Sequence, residues 1–144
     1  MLKFADGTAF AGGSAPYSYL PEESPRLQIE IEINGQRFSA AVDTAAPYFI
    51  CNLAVAELLW LTTANHVGEV TLSTRKGRIS GRLYRTAVVL LAAEGESVEI
   101  EVTTFVPDDQ SWNDEPLFLG LFNCLDRLRF AIDPAADTFY FGKP

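Results

Sequence analysis

The chain is short of cysteine, histidine and positive charge. Its 144 residues include two cysteines, Cys51 and Cys124, and one histidine, His66; 11 Lys and Arg stand against 19 Asp and Glu, a formal net charge of −8. Two cysteines make no disulfide framework, and both are read as buried, reduced thiols. A cysteine or metal hydrolase built on Cys51, His66 and Asp126 finds no support in their spacing, and His66 is read as a loop residue. The acidic balance argues against nucleic acid or an anionic membrane as partner, because no basic patch could offset phosphate repulsion. No apolar run approaches membrane-spanning length, and MLKFADGTAF has no apolar segment after its lysine, so the expected setting is cytoplasmic. There is no repeat and no low-complexity tract. The length allows one domain with a real core and is too short for two.

What the chain does have is a stretch, Ile29 to Cys51, that reads as two strands around a tight turn, delivering one aspartate. Leu27, Ile29, Ile31 and Ile33 alternate with Gln28, Glu30 and Glu32, the period-two pattern of a half-buried strand. Asn34-Gly35 suits a two-residue hairpin because both residues tolerate positive φ. Phe38, Ala40 and Val42 resume the alternation. At Asp43-Thr44-Ala45-Ala46-Pro47 the apolar pattern gives way to small residues that turn the chain and present a carboxylate. Tyr48-Phe49-Ile50-Cys51 is a buried strand by composition, and Asn52 can cap a helix over Leu53 to Trp60 with its side-chain oxygen. Leu58, Leu59 and Trp60 are expected in the core.

Residues 1–24 read as an N-terminal arm or tail. Asp6-Gly7 suits a small hairpin between Lys3-Phe4-Ala5 and Thr8-Ala9-Phe10, and Ala11 to Pro16, AGGSAP, reads as a flexible connection. Tyr17, Tyr19 and Leu20 alternate enough for a short strand, which favours an ordered arm over a disordered tail. Downstream, Thr86 to Leu91 and Ser97 to Val106 form a hairpin, with Val98, Ile100 and Val102 on one face and Glu99, Glu101 and Thr103 on the other. Pro107 to Glu115, PDDQSWNDE, is read as a solvated acidic loop; its spacing does not match a calcium-binding loop, and neither metal nor cofactor is expected.

A hydrophobic strand running into Asp43-Thr44-x-Ala46, then a bulky apolar run and a short helix, resembles the active-site segment of the retropepsin-like aspartic proteases. The usual signature there is Asp-Thr-Gly-Ala or Asp-Ser/Thr-Gly-Ser. A second motif lies at the right distance: Leu117-Phe118-Leu119-Gly120, followed by Leu121 to Leu128, resembles the family's hydrophobic-hydrophobic-Gly segment and the helix after it. The closing FAIDPAADTFYF, a strand, turn and strand, is similar to the C-terminal end of the bacterial single-domain members. The likeness runs in order through roughly residues 27 to 141 and places a retropepsin-like domain at 25–144. It implies an all-β fold, a closed or partly open acid-protease barrel with one or two short helices.

Residues 69 to 85, EVTLSTRKGRISGRLYR, resemble the family's flap, a hairpin that folds over substrate; an ordinary surface hairpin is the alternative. Thr74-Arg75-Lys76-Gly77 supplies the turn, and Gly77 and Gly81 would let a lid bend. Arg75, Lys76, Arg78, Arg82 and Arg85 form the one basic cluster of an acidic protein, and in a flap they would favour acidic or polar substrates.

The resemblance also implies a chemistry. An aspartic site needs two carboxylates that share one proton and hold one water. This chain carries one Asp-Thr motif, so Asp43 would act with Asp43 of the partner subunit in a homodimer. Thr44 is implied as the hydroxyl that holds the two loops rigid across the interface. Ala45, Ala46, Arg75, Lys76, Gly77, Leu119 and Gly120 are implied as substrate-contacting positions, and the partner besides a second copy is a peptide or protein substrate. Ala46 stands where relatives with serine offer the charged carboxylate a hydroxyl, so activity is expected nearer weakly acidic or neutral pH than in strong acid; a maximum below about pH 3.5 would reject this. Ala45 replaces the family's glycine, and its methyl bears on the approach of substrate. The alternative function is an inactive relative whose dimer and cleft serve as a peptide-binding or assembly module.

Overall fold

Strand pairing follows the alternation of apolar side chains. The computed structural model describes residues 1–20 and 26–144, and twelve strands follow one another along them. They are β1 (Gly13–Pro16), β2 (Ser18–Tyr19), β3 (Leu27–Ile33), β4 (Gln36–Val42), β5 (Phe49–Ile50), β6 (Gly68–Thr74), β7 (Gly77–Leu90), β8 (Glu94–Gly95), β9 (Val98–Pro107), β10 (Leu117–Leu119), β11 (Arg129–Asp133) and β12 (Thr138–Gly142). One α-helix, α1 (Leu53–Leu58), and short 3₁₀ turns at Leu61–Thr63, Gln110–Trp112 and Leu125–Arg127 complete the described elements.

The larger sheet runs in the order β2-β3-β4-β10-β5-β9-β7-β6. It curls back on itself where β3 also pairs with β7, Ile31 opposite Leu90 and Glu32 opposite Val89. Closure through so short a pairing leaves the barrel partly open, the all-β architecture implied by the resemblance. Inside it, Ile29, Ile31 and Ile33 are buried while Glu30 between them is exposed. Each fully buried isoleucine stabilises by about 1.5–3 kcal/mol. The hairpin from β3 to β4 turns at Asn34 (φ 49°) and Gly35 (φ 79°), the positive-φ pair that a two-residue turn requires. A second, smaller core of Ala41, Ile50, Phe105, Trp112 and Phe118 receives Leu72 and Ile79 from the β6–β7 hairpin.

Three local expectations are corrected. Ala11 to Pro16 is no loose connection: β1 lies between β12 and β8 in a four-stranded sheet, β11-β12-β1-β8. Gly13 is there for close approach, since a Cβ would fall 2.2 Å from the Glu96 carbonyl oxygen and 2.9 Å from the Phe141 ring. The boundary placed between residues 24 and 25 lies outside the described residues. Secondly, Asn52 does cap α1, accepting from the Val55 amide at 2.9 Å, but the helix stops at Leu58 and the chain reverses at Trp60 (φ 61°). Leu59 is therefore buried while Leu58 and Trp60 are 58% and 75% exposed, outside the core. Thirdly, the segment after Gly120 forms turns and one 3₁₀ turn instead of a helix. The carbonyls of Phe122 and Asn123 accept from Tyr48 and Thr103 and so cannot serve a helical ladder, and Asn123 takes a left-handed φ of 52°.

Cys51 and Cys124 are free and buried; desolvation pushes both thiols up to about 12, with the Asp126 charge adding to it at Cys124. Both are therefore protonated and unreactive at neutral pH. No described helix is long and apolar enough to cross a membrane.

Candidate active site

Asp43 stands just past the end of β4. On that strand's flank β10 runs parallel to it, and on its other side β10 pairs antiparallel with β5. The chain therefore leaves one neighbour of β10 at Asp43 and returns as the other at Phe49, with β10 held between. Backbone bonds clamp this loop from behind: Asp43 donates to the Leu119 carbonyl at 3.0 Å, Gly120 to Tyr48 at 2.8 Å and Leu121 to Ala46 at 2.8 Å. The approach leaves no room for a side chain at residue 120, where a Cβ would lie 2.2 Å from the Tyr48 oxygen and 2.6 Å from the Ala46 oxygen.

Within the loop the Ala46 amide donates to the Asp43 carbonyl, and the Ala45 amide donates to Asp43 Oδ1, both at 3.1 Å. This local turn orients the half-buried carboxylate. Ala45 is not among the described residues with positive φ, so its methyl brings no backbone strain. Thr44 is exposed, and its hydroxyl makes no hydrogen bond within the described residues.

Asp43 opens onto a cleft of about 300 Å³. It is lined by Asp43, Ala45, Ala46 and Pro47 together with Leu72 to Arg75 of the β6–β7 hairpin. Arg26, Ile50, Trp112 and Phe118 complete it. Of the residues expected at the site, Asp43, Ala45, Ala46 and Arg75 line this cleft. Thr44, Lys76, Gly77, Leu119 and Gly120 do not; Leu119 is fully buried and, with Gly120, holds the loop from behind. Phe118 lay in the second motif and Leu72 in the flap-like stretch without being singled out as cleft residues, while Arg26 and Trp112 carried no sequence signal, because nothing local to them says that they meet Asp43. Among the described residues no group of three His, Cys, Asp or Glu side chains is placed to hold a metal ion.

The hairpin tip is clasped to the loop after β9, which was expected to be a solvated acidic loop. Arg75 Nη2 meets Glu115 Oε2 at 3.0 Å; Lys76 Nζ meets Asp114 Oδ1 at 3.0 Å and Glu115 Oε1 at 3.2 Å, and lies 5.5 Å from the Trp112 ring centroid. The Glu115 side chain is only 7% exposed and Trp112 is buried. Asn52 and Asn113 tie the same loop to α1, through the Glu115 carbonyl and the Ala54 amide. Arg82 likewise faces Glu69 and Arg85 faces Glu101. Four of the five cations of the basic stretch are thus matched by the chain's own carboxylates, and the preference for acidic substrates expected of that cluster loses its source. Gly81 is no hinge either, since a Cβ would fall 2.4 Å from the Val106 oxygen and 2.6 Å from the Phe105 ring.

The clasp has a pH window. The hydrogen bond to Asp114 holds Lys76 above its ordinary 10.5, and the same bond holds Asp114 below 3.8. A raised lysine stabilises below its unfolded pKa and stops doing so as pH rises through the folded one. A lowered aspartate stabilises above its unfolded pKa and stops as pH falls through the folded one. The contact therefore contributes between about 3.8 and about 10.5 on the pH scale and is lost below the lowered Asp114 value and above the raised Lys76 value. Glu115→Gln is expected to lower stability by about 1–2 kcal/mol and to speed amide exchange at residues 75–77. Unchanged exchange at those amides would show that the ion pairs do not hold the tip.

No protein-family model matches this chain, and no curated protein does. Among solved structures it is similar to the crystal structure of a retropepsin-like aspartic protease from Rickettsia conorii, with 19% sequence identity and a TM-score of 0.59. The likeness covers 88% of this chain and 97% of that one. At such identity it shows the fold, which is that of a retropepsin-like aspartic protease.

Proposed function

We propose that the chain is an aspartic endopeptidase that hydrolyses peptide bonds with water activated between Asp43 and Asp43 of the partner subunit. The observation that carries this reading is the placement of Asp43: its loop is clamped by β10, its carboxylate is oriented by the Ala45 amide, and it lines a cleft together with residues of the β6–β7 hairpin. Two such carboxylates at contact distance share one proton, the arrangement that the aspartic proteases themselves exemplify. The ionised one takes a proton from water as its oxygen attacks the peptide carbonyl carbon. The protonated one gives its proton to the carbonyl oxygen, and collapse of the diol with protonation of the nitrogen breaks the C–N bond.

The surface around the loop supports pairing. Thr44 offers a hydroxyl without a hydrogen-bond partner among the described residues, and in the segment bonded to the Asp43 loop Leu121 and Phe122 are 39% and 54% exposed, with the Phe122 ring edge-on to Tyr48 at 5.8 Å. A second copy would cover these side chains and complete the site. The β6–β7 hairpin acts as the flap, and two buried free thiols fit the reducing cytoplasm. Ala45, the residue that speaks for an inactive module, sits without strain and leaves the cleft open.

Cleavage of a peptide mixture and sedimentation should be measured together over a dilution series. Activity per chain is expected to fall in step with the dimer fraction. Constant activity per chain in a population that sediments as monomer would overturn the shared site.

A further inference from the structure

We infer that Arg26 is a carboxylate-recognising residue of this cleft, selecting peptides that bring an acidic side chain or a free C-terminal carboxylate beside the Asp43 loop. The inference rests on the cleft being the peptide site proposed above. Arg26 lies just before β3 and lines the same cleft as Asp43. Its guanidinium stands 5.0 Å from the Phe118 ring centroid, a cation–π contact that holds the group in place without using its hydrogen-bond donors. Its Nη1 is buried and has no hydrogen-bond partner among the described residues, and it takes part in none of their ion pairs.

A second donor in the cleft is in the same condition. The Trp112 Nε1–H is buried without an acceptor among the described residues, and Trp112 packs against Phe118, the ring that Arg26 also meets, at 6.1 Å between centroids. Buried donors without partners are uncommon, and a guanidinium without one is more costly than a neutral N–H. The other cation of the cleft, Arg75, is already engaged by Glu115. Two unsatisfied donors, one charged, therefore line a cleft in which they bond to no acceptor of the described residues, and the planar fork of an arginine matches a carboxylate. A ligand carboxylate supplies the charge and the acceptors together. The net charge of −8 opposes acidic peptides in general, so their selection needs a local cation.

The test separates binding from turnover. Peptides from a digested protein mixture are passed at low salt over immobilised full-length Asp43→Asn chain, and the retained fraction is sequenced by mass spectrometry. Retained peptides are expected to be enriched about fivefold or more in free carboxylates, and methyl-esterifying all carboxyls should abolish that enrichment. Amidating only the C-termini abolishes it if the terminal carboxylate is bound and leaves it if a side chain is. Arg26→Gln in the same background should lose the enrichment, and Arg26→Lys should keep part of it. Thermal unfolding identifies a misfolded variant, while the esterified peptides interrogate the unsubstituted arginine. Equal retention of acidic and esterified peptides, enrichment that survives Arg26→Gln in a folded chain, or no retention at all overturns the assignment. Turnover by the unsubstituted chain is scored separately: cleavage without acidic selection sinks the role of Arg26 and leaves the peptidase, and selection without cleavage does the reverse.

Discussion

On the proposed peptidase reading, Asp43→Asn is expected to lower peptide turnover at least about 10⁴-fold, the scale seen when a member of a catalytic unit is removed, with the fold and the proposed self-association retained. The asparagine carbonyl oxygen can still accept from the Ala45 amide at the 3.1 Å position of Oδ1, so the turn that shapes the loop survives. The clamp from Leu119 and Gly120 uses backbone only and is untouched. What disappears is the ability to take and return a proton, and each variant dimer loses both of its acids. The measurement pairs a peptide-cleavage assay with sedimentation on one preparation. Turnover within tenfold of the parent would remove Asp43 from the chemistry; loss of turnover together with loss of the dimer would leave its chemical role undemonstrated and count against the expectation that the loop is unaffected.

Gly120→Ala is expected to be the most destabilising single methyl in the loop region, by about 3 kcal/mol or more, because overpacking against backbone has no side chain to give way. The added carbon would meet the Tyr48 oxygen at 2.2 Å, the Ala46 oxygen at 2.6 Å and the Pro47 carbonyl carbon at 2.7 Å. To relieve these contacts the loop must move off β10, which carries Asp43 with it. Gly35→Ala is the control: its Cβ meets nothing within 4 Å, and the penalty is that of a left-handed φ of 79°, about 1–2 kcal/mol. Urea denaturation of both variants decides the order. A smaller loss at Gly120 than at Gly35 would show that the loop yields more readily than its clamped geometry implies.

The parts of the fold legible in sequence are those whose physics is local. Isoleucines at every second position with Asn34-Gly35 after them read directly as a hairpin, because side-chain alternation and positive-φ tolerance are properties of neighbouring residues. Asn52 read as a helix cap for the same reason. The helix expected after Gly120 did not form, because its carbonyls were claimed by Tyr48 and Thr103, residues far away in the chain. Gly13 read as part of a flexible connection and Gly81 as a place where a lid could bend; at both, neighbouring chain passes too close for a Cβ. Local composition is the same for a flexible glycine and a crowded one, and only the neighbour distinguishes them.

The candidate site divides along the same line. The sequence alone determined the strand that runs into Asp43 through a contiguous pattern of a few residues, and its resemblance to the retropepsin-like proteases implied the all-β class and the place of the Leu119-Gly120 segment. Only the tertiary structure decided that Arg75 and Lys76 are neutralised by Asp114 and Glu115, and that Arg26, Trp112 and Phe118 share a cleft with Asp43. Charge pairing and cleft lining depend on distances between residues remote in the chain, and those distances exist only once the sheet has curled and β10 has passed between β4 and β5.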